Sequence, residues 1–319
     1  MRHVLLCGLL AAASVSASFT GQGSASTAIP GHEFSATAHD RQGVIDVEGR
    51  LLLPGGSARV RGIITVLQWG AGTLVYDDPA WHRLAEDLSF GLLRLAVTNH
   101  GGPPDPLDLP AEQQAVRNAS LGGAEALLTL LTDLARETRH PEVQDAKLIF
   151  WGHSAAGSFA TGFTALHPTR VIAFVRYHSH SRGLPVDLGT NDQVPAIIFA
   201  GEKDTTAGVE DSEALWRSGR RLNAPWTFAL EPGATHGSPE ALKKANLLAF
   251  PWIRAVVARR LSKTAELRRV NYNSGWLAGM SGAEIKQAQS FRGPKSEAIW
   301  LPDERSAKGW RAVTTHLPH

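Results

Sequence analysis

Ser154, Asp204 and His236 have the types and the spacing of an acyl-transfer centre. A serine hydroxyl is a poor nucleophile at neutral pH. It needs an imidazole to take its proton and a carboxylate to orient that imidazole. Each of the three residues follows an apolar run of strand character. Leu148-Ile149-Phe150-Trp151 leads into Gly152-His153-Ser154, Pro195–Ala200 into Gly201-Glu202-Lys203-Asp204, and Trp226–Leu230 into Glu231-Pro232-Gly233-Ala234-Thr235-His236. Catalytic groups of open α/β sheets gather at such carboxyl ends.

The stretch around Ser154 reads as strand, sharp turn and helix, the context in which Gly-x-Ser becomes a nucleophile rather than a helix cap. Close approach of strand and helix needs small residues on either side, and Gly152, Ala156 and Gly157 supply them. The N–H of Ala155, opening the helix, is expected to face a developing oxyanion, with modest help from the helix dipole. His178-x-His180 after a strand has the form of a metal pair, but no third ligand is evident, so neither metal nor cofactor is expected. His178 and His180 are instead expected to line the mouth of the site or to be loop residues; His100 is expected in a substrate-facing or structural role, and Trp69 in an acyl pocket or in the core. No Gly-x-Gly-x-x-Gly opens the first helix, which removes a dinucleotide-binding reading; Gly21-x-Gly23 lacks both the strand and the helix it would need.

The elements that must position these residues follow from apolar periodicity. Strands are expected at Glu33–Asp40, Arg50–Leu53, Gly62–Gln68, Leu92–Val97, Lys147–Trp151, Val171–Tyr177, Pro195–Ala200 and Trp226–Leu230. Helices are expected at Asp78–Ser89, at Ala111–Arg139 with a break near Gly122-Gly123, at Ala155–His167, at Asp211–Leu222, and at Pro239–Leu261 with an interruption at Pro251. This alternation predicts a mostly parallel sheet with helices on both faces.

Composition bounds the rest. The apolar fraction is 43%, the charged fraction 19% and the net charge +2, without a dense basic block, so no nucleic-acid partner is indicated. Residues 1–17 read as a secretory signal peptide: Arg2 precedes an apolar run from Val4 to Ala13, too short for a membrane span. A secreted or periplasmic location is therefore expected. Cys7, the sole cysteine, falls within that leader, which leaves no thiol chemistry after cleavage. Residues 18–31 read as a flexible linker, 32–261 as the catalytic domain, and 262–319 as an extension bearing Trp276, Trp300 and Trp310 that packs on that domain.

With Trp69-Gly70-Ala71-Gly72 after an early strand, Gly152-His153-Ser154, Gly201-Glu202-Lys203-Asp204 and His236-Gly237, the chain resembles the α/β-hydrolase superfamily over roughly residues 63–261. The resemblance implies a serine esterase with Ser154 as nucleophile, Asp204 as acid and His236 as base. Its second oxyanion-hole N–H falls by position on Gly70 or Ala71, with Ala71 preferred. Asp187, after the Val171–Tyr177 strand, is the alternative acid. Ala156 departs from the family's usual glycine. Only a short loop separates Tyr177 from Pro195, so no large lid domain is expected, and an open site suits bulky or polymer-linked esters; the expected partner is a small-molecule or polymer-linked ester substrate. In this the chain is similar to the secreted feruloyl-esterase, polyhydroxyalkanoate-depolymerase and dienelactone-hydrolase-like branches. A serine peptidase of the same fold and a non-catalytic polymer-binding protein are the alternatives.

Overall fold

The computed structural model describes residues 32–55, 59–101, 111–180 and 194–315. The leader and linker (1–31) and Asp187 lie outside them. Eight strands form one sheet: β1 (Glu33–His39), β2 (Ile45–Leu52), β3 (Gly62–Leu67), β4 (Phe90–Asn99), β5 (Leu148–His153), β6 (Val171–Tyr177), β7 (Ala196–Gly201) and β8 (Trp226–Glu231). Their order is β1-β2-β4-β3-β5-β6-β7-β8. β1, β2 and β4 pair antiparallel, and every pairing from β4 through β3 to β8 is parallel.

The parallel strands are predominantly apolar because both faces are covered. Every residue of β3, β5, β6 and β7 is buried, whereas β1, at the antiparallel edge, alternates exposed positions with half-buried or buried ones. The helices are α1 (Gly72–Asp77), α2 (Pro79–Leu88), α3 (Ala111–Arg117), α4 (Gly123–Thr138), α5 (Ala155–Leu166), α6 (Val209–Arg221), α7 (Pro239–Arg260) and α8 (Glu304–Thr314). Phe150 of β5 meets Phe159 and Phe163 of α5 on one face. Trp81 of α2 meets Phe250 of α7 edge-on, 5.0 Å between ring centroids. β6 and β7 are joined by residues 178–195 alone, so no large lid domain is inserted there.

Two expectations need correction. β2 begins at Ile45, not Arg50, because Val47 and Leu51 turn into the core while Glu48 and Arg50 face out, an alternation that charged residues blur in sequence. α7 runs unbroken through Pro251. Proline cannot donate to the carbonyl of Leu247, and it is against that carbonyl that Gly309 of α8 packs; a Cβ there would lie 2.3 Å from Leu247 O. At Gly122 the expected break does occur, between α3 and α4. Its φ of 109° favours glycine, and a Cβ would press on the Asp40 carboxylate.

Beyond α7 the chain adds β9 (Trp276–Ala278), β10 (Ile285–Gln287) and β11 (Ile299–Leu301), a small antiparallel sheet in the order β10-β9-β11, and then α8. It is sewn to the main sheet by polar contacts in the core. Thr227 Oγ1 donates to Trp300 O and accepts from Trp252 Nε1, and Trp310 Nε1 donates to Phe228 O at 2.7 Å. Arg220 of α6 donates to the carbonyls of Ala298 and Lys295.

Candidate active site

Ser154 stands between β5 and α5 with φ 56° and ψ −124°, a strained region for a residue with a side chain. Its N–H donates to Tyr177 O at 3.0 Å, which pins the turn to β6. The turn is tight enough that a Cβ on Gly152 would lie 2.3 Å from Ala156 O, and one on Gly157 2.6 Å from Ser179 Cβ. Ala156 is fully buried and fits, so the departure from glycine at that position leaves the turn intact. Ser154 is partly exposed. The N–H of Ala155 is the first of α5 and belongs to the amides that a helix leaves without an internal partner.

Asp204 follows β7 and is 5% exposed. Its Oδ1 accepts the N–H groups of Thr206 and Ala207, both at 2.9 Å, and its Oδ2 accepts from His236 Nδ1 at 2.8 Å. Burial opposes ionisation, but the bond to His236 and the two N–H donors outweigh it and hold the carboxyl below its ordinary range. His236 follows β8 with its side chain 23% exposed. Because Nδ1 gives its proton to Asp204, Nε2 carries the lone pair that a general base requires. The structure thus brings Asp204 and His236 into contact beside the Ser154 turn. Among the described residues no hydrogen bond joins Ser154 Oγ to His236.

His153, between Gly152 and Ser154, lies at the centre of this edge of the sheet. Its ring centroid is 4.5 Å from that of His236. A Cβ on Gly70 would lie 2.0 Å from His153 Nδ1, and one on Gly237 2.7 Å from its Nε2. His153 Nδ1 accepts the N–H of Ala71 at 3.0 Å. This corrects the expectation for Ala71: its amide is already engaged by an imidazole. No described hydrogen bond takes the N–H of Gly70, the other amide of that turn.

The residues expected to face substrate divide. Trp69 is half-buried against the core. His100 directly follows β4, where its Nε2 contacts Asp46 Oδ2 of β2 at 2.8 Å, and its side chain is half exposed. His180 is partly buried, and its carbonyl accepts from Ser158 Oγ. His178 has no surface to offer a substrate: its side chain is wholly buried. Its Nε2 lies 2.9 Å from Glu231 Oε2, its Nδ1 accepts the N–H of Gly237 at 3.2 Å, and Nδ1 is 3.6 Å from Asp204 Oδ2. Glu231 did not stand out in the sequence, although a carboxylate closing an otherwise apolar strand was a signal for it. His178, Asp204 and His236 bring three potential metal donors within 4.8 Å of one another. Both imidazole Nδ1 atoms in that group are committed to hydrogen bonds, one as donor and one as acceptor, so the cluster forms a hydrogen-bonded network. A cavity of about 1000 Å³ opens at the opposite, amino-terminal end of the strands, beside Arg61, Lys147 and Arg268.

No protein-family model and no curated protein sequence matches this chain. Solved structures do. An esterase from Pyrococcus furiosus has a TM-score of 0.51 at 12% identity, covering 72% of this chain and 93% of the esterase. A putative alpha/beta hydrolase from Agrobacterium tumefaciens gives 0.49 at 14% identity, covering 70% and 96%. An α/β serine hydrolase without a lid from Xanthomonas campestris gives 0.45 at 14%, covering 72% and 96%. At such identities the likeness is one of fold, and the fold of this chain is that of the α/β hydrolases.

Proposed function

We propose that this protein is an exported serine hydrolase that cleaves carboxylic esters through Ser154, Asp204 and His236. The observation that carries the reading is the buried Asp204 Oδ2···His236 Nδ1 bond of 2.8 Å, set beside a serine held at φ 56° between a strand and a helix. A buried carboxylate orienting a partly exposed imidazole is the arrangement that leaves Nε2 basic toward a neighbouring hydroxyl.

In the proposed reaction His236 Nε2 takes the Ser154 proton as Oγ attacks the ester carbonyl. Rotation of the Ser154 side chain on substrate binding closes the Oγ–Nε2 contact, since such contacts tighten only in the substrate complex. Asp204 keeps the proton of Nδ1 in place and stabilises the imidazolium. The N–H of Ala155 binds the oxyanion, and the amide of Gly70 serves as the second donor because that of Ala71 is held by His153. The tetrahedral intermediate collapses with loss of the alcohol, which takes the proton from His236. Water then repeats the attack on the acyl-enzyme.

The connection between β6 and β7, too short for a lid domain, supports bulky or polymer-linked esters as substrates. Export rests on the leader-like residues 1–17, and no helix among the described residues is long and apolar enough to cross a membrane. Turnover of a short-chain nitrophenyl ester, set against a peptide anilide, tests the reaction class. Wild-type protein is expected to cleave the ester and Ser154→Ala to fall to background; preference for the anilide would make the protein a peptidase.

A further inference from the structure

The Asp204–His236 pair is backed by a second, wholly buried pair that the proposed reaction does not use. His178 and Glu231 have side chains 0% and 2% exposed, and Nε2 and Oε2 are 2.9 Å apart. Burying two ionisable groups is costly unless their hydrogen bonds are met. His178 also carries a φ of 46°, strained for a residue with a side chain, and its ring stacks on Tyr177 at 4.1 Å between centroids. Its bonds fall on the two ends of one loop. Glu231 is the last residue of β8, and Gly237 directly follows His236. One imidazole, donating from Nε2 to Glu231 and accepting at Nδ1 from Gly237, therefore closes the whole segment that carries His236. Close packing fixes the same ring from the acid's side: a Cβ on Gly201, ahead of Asp204, would lie 2.9 Å from His178 Cε1.

We propose that His178, anchored by Glu231, is the positioning residue of this site. It clamps residues 231–237 so that His236 Nδ1 stays on Asp204 and Nε2 stays aimed toward Ser154. The role rests on the hydrolase reading above, and it replaces the substrate-facing role expected of His178 from sequence. Burial pushes the Glu231 carboxyl up from its ordinary value, and the bond to His178 pulls it back; an amide in its place keeps the shape but gives up the ionic part of that bond.

The test compares full-length wild type with His178→Ala, His178→Asn and Glu231→Gln. It uses steady-state ester hydrolysis, the rate of fluorophosphonate labelling, and the low-field proton resonance of the His236 Nδ1–H···Asp204 bond, identified by its loss in His236→Ala. His178→Ala and Glu231→Gln are expected to lower kcat and the labelling rate about 10- to 100-fold, the effect of a small misplacement of a catalytic group. KM is expected to stay within about twofold, and the resonance to shift or broaden. His178→Asn, which returns an acceptor for the Gly237 N–H, is expected to recover part of the loss. If His178→Ala does not fold, the isosteric Glu231→Gln carries the test. Folded variants with wild-type kcat and an unaltered resonance, or a loss confined to KM, would overturn the proposal. Absence of turnover and labelling in the wild type would overturn the hydrolase reading instead, and the resonance would still report whether His178 holds His236 on Asp204.

Discussion

His153 is held neutral in the middle of the site. Burial, and after it the nearby charges of His236 and His178, push its pKa from 6.5 down to about 3. Below pH 6.5 the unfolded chain protonates this ring and the folded chain does not. Folding stability must therefore fall as pH drops from about 6.5 toward about 3, by up to about 1.4 kcal/mol per pH unit. His153→Asn, whose Oδ1 can still accept from Ala71, is expected to flatten that dependence in urea unfolding between pH 7 and 4.5; an unchanged slope would place its origin elsewhere. Asp204 acts in a lower window. Its folded pKa lies below the ordinary 3.8, so its stabilisation is complete above that value and is lost only on further acidification. Asp204→Asn and His236→Ala should each reduce ester turnover by at least about 10³-fold, and measuring kcat/KM for both checks the acid and the base. The placement of Ser154, Asp204 and His236 beyond the ends of β5, β7 and β8 was legible in the sequence because each follows an apolar run. The engagement of Ala71 by His153, and of Gly237 by His178, was not, because it depends on where two imidazole rings turn after the sheet has formed.

The element that sets the geometry is the β5–α5 turn. Its tolerance for side chains is uneven, and the contacts show where it ends. Gly152→Ala would drive a Cβ to 2.3 Å from Ala156 O, backbone that cannot move without shifting α5. The expected cost is about 1–3 kcal/mol or more, read as a lower Tm together with lost labelling. Ala156→Gly should do little: about 1 kcal/mol of helix propensity, about 2 °C in Tm, and unchanged turnover. Strand positions in the parallel half could be read from uninterrupted apolar runs. The start of β2 and the continuity of α7 could not. In the first, half-buried alternation is diluted by charges, and in the second, α8 packs on the carbonyl that Pro251 leaves without a donor, a partner distant in sequence.

At the scale of the whole molecule, residues after α7 complete the core rather than hang from it. Trp300 is fully buried and Trp310 is 3% exposed, and Thr227 bonds to the tail and to Trp252 at once. Trp310→Ala should cost about 3–5 kcal/mol and lower Tm, while the folded fraction still labels at the wild-type rate; a slowed rate would tie the tail to the site. Tryptophans spaced through a polar segment signalled this packing in the sequence, but the three short strands that deliver them were too brief for periodicity to reveal. All of this scaffolding serves one claim, that Ser154 is a nucleophile. It is tested most directly by treating the folded protein with a fluorophosphonate and mapping the adduct by mass spectrometry. The account predicts one adduct per chain, on Ser154, absent from Ser154→Ala and strongly slowed in His236→Ala. Labelling that persists in Ser154→Ala, or wild-type protein that takes no label, would contradict it.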